Sequence, residues 1–361
     1  MGRSDLVRGY CSPAGSLRHR RRNAALPPDF FSVSHELALS SIGLGTYLGN
    51  PDDETDRAVV DAATTLAIAG CNVFDSAPNY RNGRAELCVG QALAALLHQG
   101  VGRDQLFVST KVGIVPESLL EALSAGALLP RGQIEMLPTG QCFSPAYIRW
   151  QVEQSRHRLG LQTIDCVYLH NIEEARCVRP VAFPSLLIRA LEALEELVAR
   201  GDVRSYGLAT WHGLRVAHDD PRALSLGEVV LSASTVAGGC HGLRYLQLPV
   251  GLWAPEAIAN QIQPGKNGGS ETPLMAAAHL GLTVMGSAPL LQGALAGADL
   301  SFLSGLPRLS AAQRLVQFSR SVPGVATVLV GLKQRRHVAE ALAVAALPRS
   351  DLAGLTLREL R

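Results

Sequence analysis

Several features that announce common protein functions are missing or sparse in this sequence. Charged residues make up only 18% of the 361 residues, and the formal net charge is +2. No strong field points toward nucleic acid or an acidic surface as partner, so a small molecule suits better. The seven cysteines (Cys11, Cys71, Cys88, Cys142, Cys166, Cys177 and Cys240) are odd in number, scattered and never in a CxxC pair. That spacing provides neither a disulfide framework nor a zinc site, and a reducing, cytoplasmic setting is the expectation. Cys71 and Cys166 lie in or beside strand-like runs and read as small core fillers. The ten histidines form no HExxH or similar ligand pattern, so no metal is expected. No run reads as a membrane span, because the longest apolar stretch, around 273–298, is broken by Pro273, His279, Gly281, Gly286, Pro289 and Gln292. Heptads are absent as well, and a monomer is the default expectation.

Acid is nearly missing from the N-terminal stretch, which carries Arg3, Arg8, Arg18, Arg20, Arg21 and Arg22 and lacks the apolar region of a secretory signal. It reads as a basic, disordered extension over residues 1–33, with a transit peptide or a tail touching nucleic acid as alternatives. Residues 34–361 are enough for one barrel domain with insertions and a large core.

What the sequence does contain is a regular alternation of strand-like and helix-like segments. Eight apolar runs read as buried parallel strands: residues 41–47, 71–75, 106–111, 164–170, 203–209, 245–249, 282–288 and 326–331. Between them lie amphipathic stretches such as TDRAVVDAATTLAIAG, AELCVGQALAALL, SPAYIRWQVEQSRHRLG, LLIRALEALEELVARG and RRHVAEALAVAAL. Gly70, Gly160, Gly201 and Gly281 are placed to end four of the helices. The pattern predicts an α/β fold, a (β/α)8 TIM barrel, with the LALS run before the first strand as part of a hairpin at the barrel bottom. Two connections, 112–144 and 250–270, are too long for simple turns and leave C-terminal strand ends, so both are expected to overhang the active-site mouth.

Four residues stand at or just past the strand exits: Asp75 and Tyr80 in FDSAPNY, Lys111 in VSTKVG and His170 in VYLHN. Active sites of such barrels gather at that end. A carbonyl that accepts a hydride leaves an alkoxide to be protonated, and a phenol with its ordinary pKa of about 10 is a poor acid at neutral pH. An ammonium at Lys111, held by the Asp75 carboxylate, is expected to lower the Tyr80 value, while the His170 imidazole aims the carbonyl oxygen at the phenol. Singly, each residue has a structural alternative: an ion pair, a rim aromatic, a core histidine. Their joint placement favours chemistry.

The chain resembles the aldo-keto reductase superfamily, as a divergent bacterial-type member, from residue 42 to about 347. The likeness runs through GLGTYLG, VFDSAPNYRNGRAELCVGQAL, STKVG, RLGLQTIDCVYLHN, GDVRSYGLATWHG, QLP, SAPLLQGAL and VLVGLKQRRHVAEAL. The resemblance implies a barrel that binds NADPH, or less often NADH, and reduces an aldehyde or ketone to an alcohol, with Asp75, Tyr80, Lys111 and His170 as the catalytic set. No GxGxxG follows a predicted strand, in keeping with binding that needs no Rossmann domain. The resemblance also places Thr46, Tyr47 and Asp75 beside the cofactor and matches Gln247 to the family's carboxamide-binding residue. Ala209-Thr210 stands where the family has Ser-Asn, and Ser287 where an aromatic ring commonly stacks, leaving Trp211 and Trp253 as candidate substitutes. The segment Ser287, Ala288, Pro289, Leu290, Leu291, Gln292, Gly293 matches the loop over the pyrophosphate. Gly331 and Lys333, with Arg335, Arg336 and His337 at a helix start, suit the 2′-phosphate of NADPH; further on, Glu340 is retained where the family reaches the adenine, although Ala341 replaces a typical Asn. Tyr47, Trp253, Ile114, Leu137, Leu290 and Leu291 are candidate substrate contacts. Two other readings share the scaffold: a cofactor-binding regulatory barrel without turnover, and a non-redox lyase or isomerase.

Overall fold

The structure, a computed structural model, describes residues 6–265, 268–295, 297, 299 and 309–352. A hairpin of β1 (Phe31–Ser34) and β2 (Leu37–Ser40) leads into β3 (Ile42–Gly45). The strands β4 (Val73–Asp75), β5 (Phe107–Val112), β6 (Cys166–His170), β7 (Tyr206–Ala209) and β8 (Leu243–Pro249) follow. A short ladder of β9 (Gln263–Pro264) and β10 (Ser270–Glu271) precedes β11 (Thr283–Ser287) and β12 (Val325–Gly331). Eight of these close into a parallel barrel in the order β11-β12-β3-β4-β5-β6-β7-β8, the (β/α)8 architecture that the apolar runs predict. Every catalytic candidate thus comes from adjoining strands on one rim: the register pairs Asp75 with Ser109, Lys111 with Tyr168, and His170 with Ala209.

The expected disorder of residues 1–33 is corrected by the structure from residue 6 onward. Val7 bridges to Leu161, its N–H donating to Gly160 at 2.9 Å and its carbonyl accepting from Gln162 at 2.9 Å. Helix α1 (Pro13–Arg22) starts at Ser12, whose hydroxyl accepts from the Gly15 N–H at 3.0 Å. Its inner face buries Ser16 and His19, while Arg18 pairs with Asp104. A Cβ on Gly15 would lie 2.0 Å from the Asp104 carbonyl oxygen, so only glycine allows this close seating. Cys11 plugs the barrel bottom among Phe107, Tyr168, Tyr245 and Met285. Its N–H donates to Asp165 Oδ1 at 2.5 Å, and Asp165 Oδ2 accepts from Arg103 at 2.6 Å and from the Val108 N–H at 2.8 Å. The arginines that make the stretch look solvated lie beside a seam of small residues that docks on the barrel.

The outer layer holds the helices that the amphipathic stretches predict: α2 (Asp53–Ile68), α3 (Arg84–His98), α5 (Pro145–Leu159), α7 (Phe183–Ala199) and α12 (Arg335–Ala345), with the short α4 (Glu117–Ser124) and α6 (Glu173–Val178) between. Gly160 is the left-handed C-cap of α5, and Gly70, Gly201 and Gly281 sit at positive φ just beyond other helix ends. Helices α8 (Leu226–Ala237), α10 (Pro273–His279) and α11 (Ala311–Ser321) complete the ring, with the one-turn α9 (Glu256–Ala259) inside the 250–270 connection. Among the described residues no helix is long and apolar enough to cross a membrane.

Of the two long connections, the first folds back over the rim through the bridges Ile114–Gln141 and Met136–Cys142. Gln141 Nε2 donates to the carbonyls of His170 at 3.1 Å and Asn171 at 3.0 Å, which ties that loop to the site. The second packs sideways instead, where Gln263 Oε1 caps the Leu226 N–H at 2.9 Å.

Asp165→Ala strips the acceptor from three buried donors at the barrel bottom. Urea denaturation is expected to show a loss of about 3–5 kcal/mol, the cost of breaking a buried charge pair; a loss under about 1 kcal/mol would mean that the arm docks without it.

Candidate active site

The floor of the site is the ion pair between Lys111 and Asp75, with Nζ 2.5 Å from Oδ2 and both side chains at most 4% exposed. Lys111 Nζ also donates to the Ser76 carbonyl at 2.9 Å. Asp75 Oδ1 accepts from Ser109 Oγ at 2.8 Å and from Gln247 Nε2 at 2.9 Å, so with Lys111 the carboxylate takes three side-chain donors from two strands, β5 and β8. Burial works against the ammonium, but the Asp75 charge and then Tyr80 outweigh it and raise the Lys111 pKa.

Tyr80 stands on a tight turn whose next two residues, Arg81 and Asn82, are left-handed at φ 50° and 54°. Such a backbone costs roughly 1–2 kcal/mol per residue. Arg81 and Arg84 offset it by gripping Asp56 on α2. The phenol ring has Lys111 Nζ 4.9 Å from its centroid and meets Tyr47 and His170 edge-on at 5.0 Å and 6.0 Å. Lys111 does pull the Tyr80 pKa down, but the expected net lowering is corrected: burial raises the value by more than the Lys111 charge offsets. The phenol is therefore held protonated across the neutral range.

His170 closes β6. Burial, and then the Lys111 charge, push its pKa well below 6.5. The ring is neutral at physiological pH, and its buried Nδ1 has no hydrogen-bond partner.

These groups open into one cleft of about 800 Å³. Asp75, Tyr80, His170, Thr46, Tyr47, Thr210, Gln247, Ser287, Ala288, Pro289, Leu290, Gln292, Gly293, Gly331, Lys333, His337 and Glu340 all line it, as do Ile114, Trp211 and Arg336. Lys111 lies beneath the surface. Trp253, Leu137, Leu291 and the other described residues of the 250–270 connection are absent from the lining, which corrects the expected overhang of the second loop. Arg335 faces a separate groove against α2. Gln247 spends one amide hydrogen on Asp75 and keeps its Oε1 without a partner, so it still offers an acceptor and a donor. Thr210 differs from expectation: its only proton goes to Glu173 Oε1 at 2.7 Å and its oxygen accepts the Gly213 N–H at 2.9 Å, leaving it an acceptor at most.

The sequence reading missed Asn171, Glu173 and the face of α11 that brings Ser310, Ala312, Gln313 and Val316 to the cleft. For α11 a signal was present: Ser310 and Gln313 form a capping box, the Ser-x-x-Gln spacing of a helix start. Ser310 Oγ donates to Glu340 Oε1 at 2.9 Å, joining α11 to α12 over the far end of the cleft.

The buried, neutral His170 makes stability depend on pH in one direction. The unfolded imidazole binds a proton near pH 6.5 that the folded one refuses, so stability is full above that pH and is lost as pH falls through it. The unfolding free energy from denaturation curves is expected to fall, below pH 6.5, by up to about 1.4 kcal/mol per pH unit for this residue. His19, also lowered by burial, adds a loss of the same sign. His170→Gln should flatten the profile, and an unchanged slope would show that this ring titrates freely in the fold.

A model of the aldo/keto reductase family matches residues 41–222, half of the chain. The NADH-specific methylglyoxal reductase of Escherichia coli K12 is 32% identical over 179 residues, 48% of this chain and 49% of that protein. Pyridoxal 4-dehydrogenase of Microbacterium luteolum is 30% identical over 220 residues, 56% of this chain and 59% of the other. D-threo-aldose 1-dehydrogenase from a Pseudomonas species is 31% identical over 182 residues, 48% and 51%. The chain thus spans about half the length of the curated relatives it matches. Among solved structures, a Klebsiella pneumoniae aldo/keto reductase in complex with NADP and acetate superposes with a TM-score of 0.62 at 21% identity, covering 92% of this chain and 94% of the other, a likeness of fold. With half its length matched by the family model, the chain belongs to the aldo/keto reductase family.

Proposed function

We propose that the protein reduces the carbonyl of an aldehyde or ketone to an alcohol with NADPH as the hydride donor and Tyr80 as the general acid. The observation that carries this reading is the convergence of a protonated phenol, a neutral imidazole and a buried ammonium on one cleft.

The residues present fit a dinucleotide. Gln247, with a free Oε1 and one free amide hydrogen, matches a carboxamide at one end, and Lys333 and Arg336 gather cations at the other, beside His337. Between them runs the 287–293 loop, where Ala288 and Gln292 are left-handed and Gly293 has open space about its Cα. When bound, NADPH supplies a hydride. The chain's own part is the proton. Tyr80 donates its hydroxyl hydrogen to the carbonyl oxygen, and the Lys111 ammonium stabilises the phenolate left behind. Asp75 keeps Lys111 charged and in place. His170, neutral and close to Tyr80, gives the oxygen a second polar neighbour. The same groups serve the reverse reaction, in keeping with relatives named as dehydrogenases.

For the cofactor we favour NADPH over NADH on the strength of the Lys333 cluster, although one relative is named as NADH-specific. Tyr80→Phe is expected to cut turnover of 4-nitrobenzaldehyde by roughly 10²- to 10⁴-fold with NADPH affinity nearly unchanged. Retained turnover would place the acid elsewhere, and tight NADPH binding without turnover on a broad carbonyl panel would favour the regulatory barrel. Lys333→Ala should weaken NADPH much more than NADH, and equal weakening would show that Lys333 does not read the 2′-phosphate.

A further inference from the structure

Glu173 opens α6 three residues after His170 and is completely buried. Among the described residues no lysine, arginine or histidine pairs with it. Its Oε1 instead receives the Thr210 hydroxyl at 2.7 Å and the backbone N–H groups of Trp211 at 2.8 Å, His212 at 3.0 Å and Gly213 at 3.4 Å. Oε2 is buried with no partner, so all that holds this carboxyl group comes through one oxygen and one turn. Consecutive N–H groups converging on one acceptor form a nest, and here the acceptor is a side chain of the protein itself.

The turn so gripped carries two residues of the cleft wall, Thr210 and Trp211. It lies between the strand ends that bear His170 and Gln247, since the Asn171 N–H donates to the Ala209 carbonyl at 2.7 Å and the Thr210 N–H to the Gln247 carbonyl at 2.9 Å. Trp211 is fixed from a second side: Arg215 donates to its carbonyl at 3.3 Å, places its guanidinium 5.9 Å from the indole, and is itself clamped by Glu256 at 2.9 Å and 3.0 Å. Ser287 offers no ring to a nicotinamide, whereas Trp211, on the turn beside the Gln247 strand end, brings an aromatic to the cleft in addition to Tyr47 and Tyr80.

We infer that Glu173 is a positioning residue, which through the 210–213 turn sets Trp211 as an aromatic wall of the nicotinamide and substrate end of the cleft. The inference rests on the cofactor reading above, and its test has one arm that does not. Glu173→Ala and Glu173→Gln are compared in the full chain, each also in a Trp211→Phe background. Acrylamide quenching of tryptophan emission, measured without cofactor, is expected to rise in Glu173→Ala and not in the double variant, because the freed indole is Trp211. NADPH titration and steady-state kinetics should show the dissociation constant and the aldehyde KM rising about tenfold with a smaller change in kcat. Glu173→Gln keeps an acceptor at the Oε1 position and should recover most of both. Thr210→Val, which removes one of the four donors without emptying the site, should move quenching and KM the same way by less. A Glu173→Ala protein with wild-type quenching, or one that only loses active fraction while KM and NADPH affinity stay put, overturns the inference. Wild-type protein that binds no NADPH would instead overturn the cofactor reading, with the quenching comparison still deciding for or against Glu173.

Discussion

The contact on which the rest of the site depends is the buried pair of Asp75 and Lys111. Two charges taken out of water are costly to bury, and the cost is offset only when every remaining lone pair and proton finds a partner. Asp75 meets that condition by drawing in Ser109 from β5 and Gln247 from β8, and Lys111 by donating to the carbonyl of Ser76. The pair thereby binds three strand ends across the barrel rim. Everything above it, from the phenol ring over Lys111 to the remaining hydrogen-bonding capacity of Gln247, takes its position from that anchor.

Burial rather than charge decides the protonation of the two rings. Tyr80 is pushed up and His170 down, so both are neutral at physiological pH and the single net cation in their midst is Lys111, already balanced by Asp75. A site that is electrically quiet before anything binds has its full response available for charge that develops during a reaction. Glu173 on α6 follows the same economy, a buried carboxyl group answered by a hydroxyl and oriented N–H groups instead of a cationic side chain.

Much of this was legible in the sequence, and where it was not the reason is physical. Asp75, Lys111 and His170 end apolar runs, and a parallel strand that must be buried on both sides can place polar side chains only at its exit. Glu173 had no such marker: an acid in the first turn of a helix ordinarily faces water and the helix dipole, and only the fold shows that it turns inward. The N-terminal arm misled because its arginines dominate its composition, whereas docking depends on small residues, Gly15 and Ser16 among them. Both long loops leave C-terminal strand ends, and length carries no direction; Gln141 draws one over the rim and Gln263 draws the other aside. The sign of the Tyr80 shift required the depth of burial, which a string of residues does not state.

The arm at the barrel bottom bears on how the chain assembles. Cys11 and its acceptor Asp165 are separated by 154 residues, and Val7 pairs with a strand-leading segment equally distant along the chain. Residues 7–11 have their seat only where residues 161–165 are in place, and closing so long a loop carries an entropic cost. The plug is thus a long-range closure: the barrel is sealed from below by residues drawn from far away along the chain, not by its own strand connections.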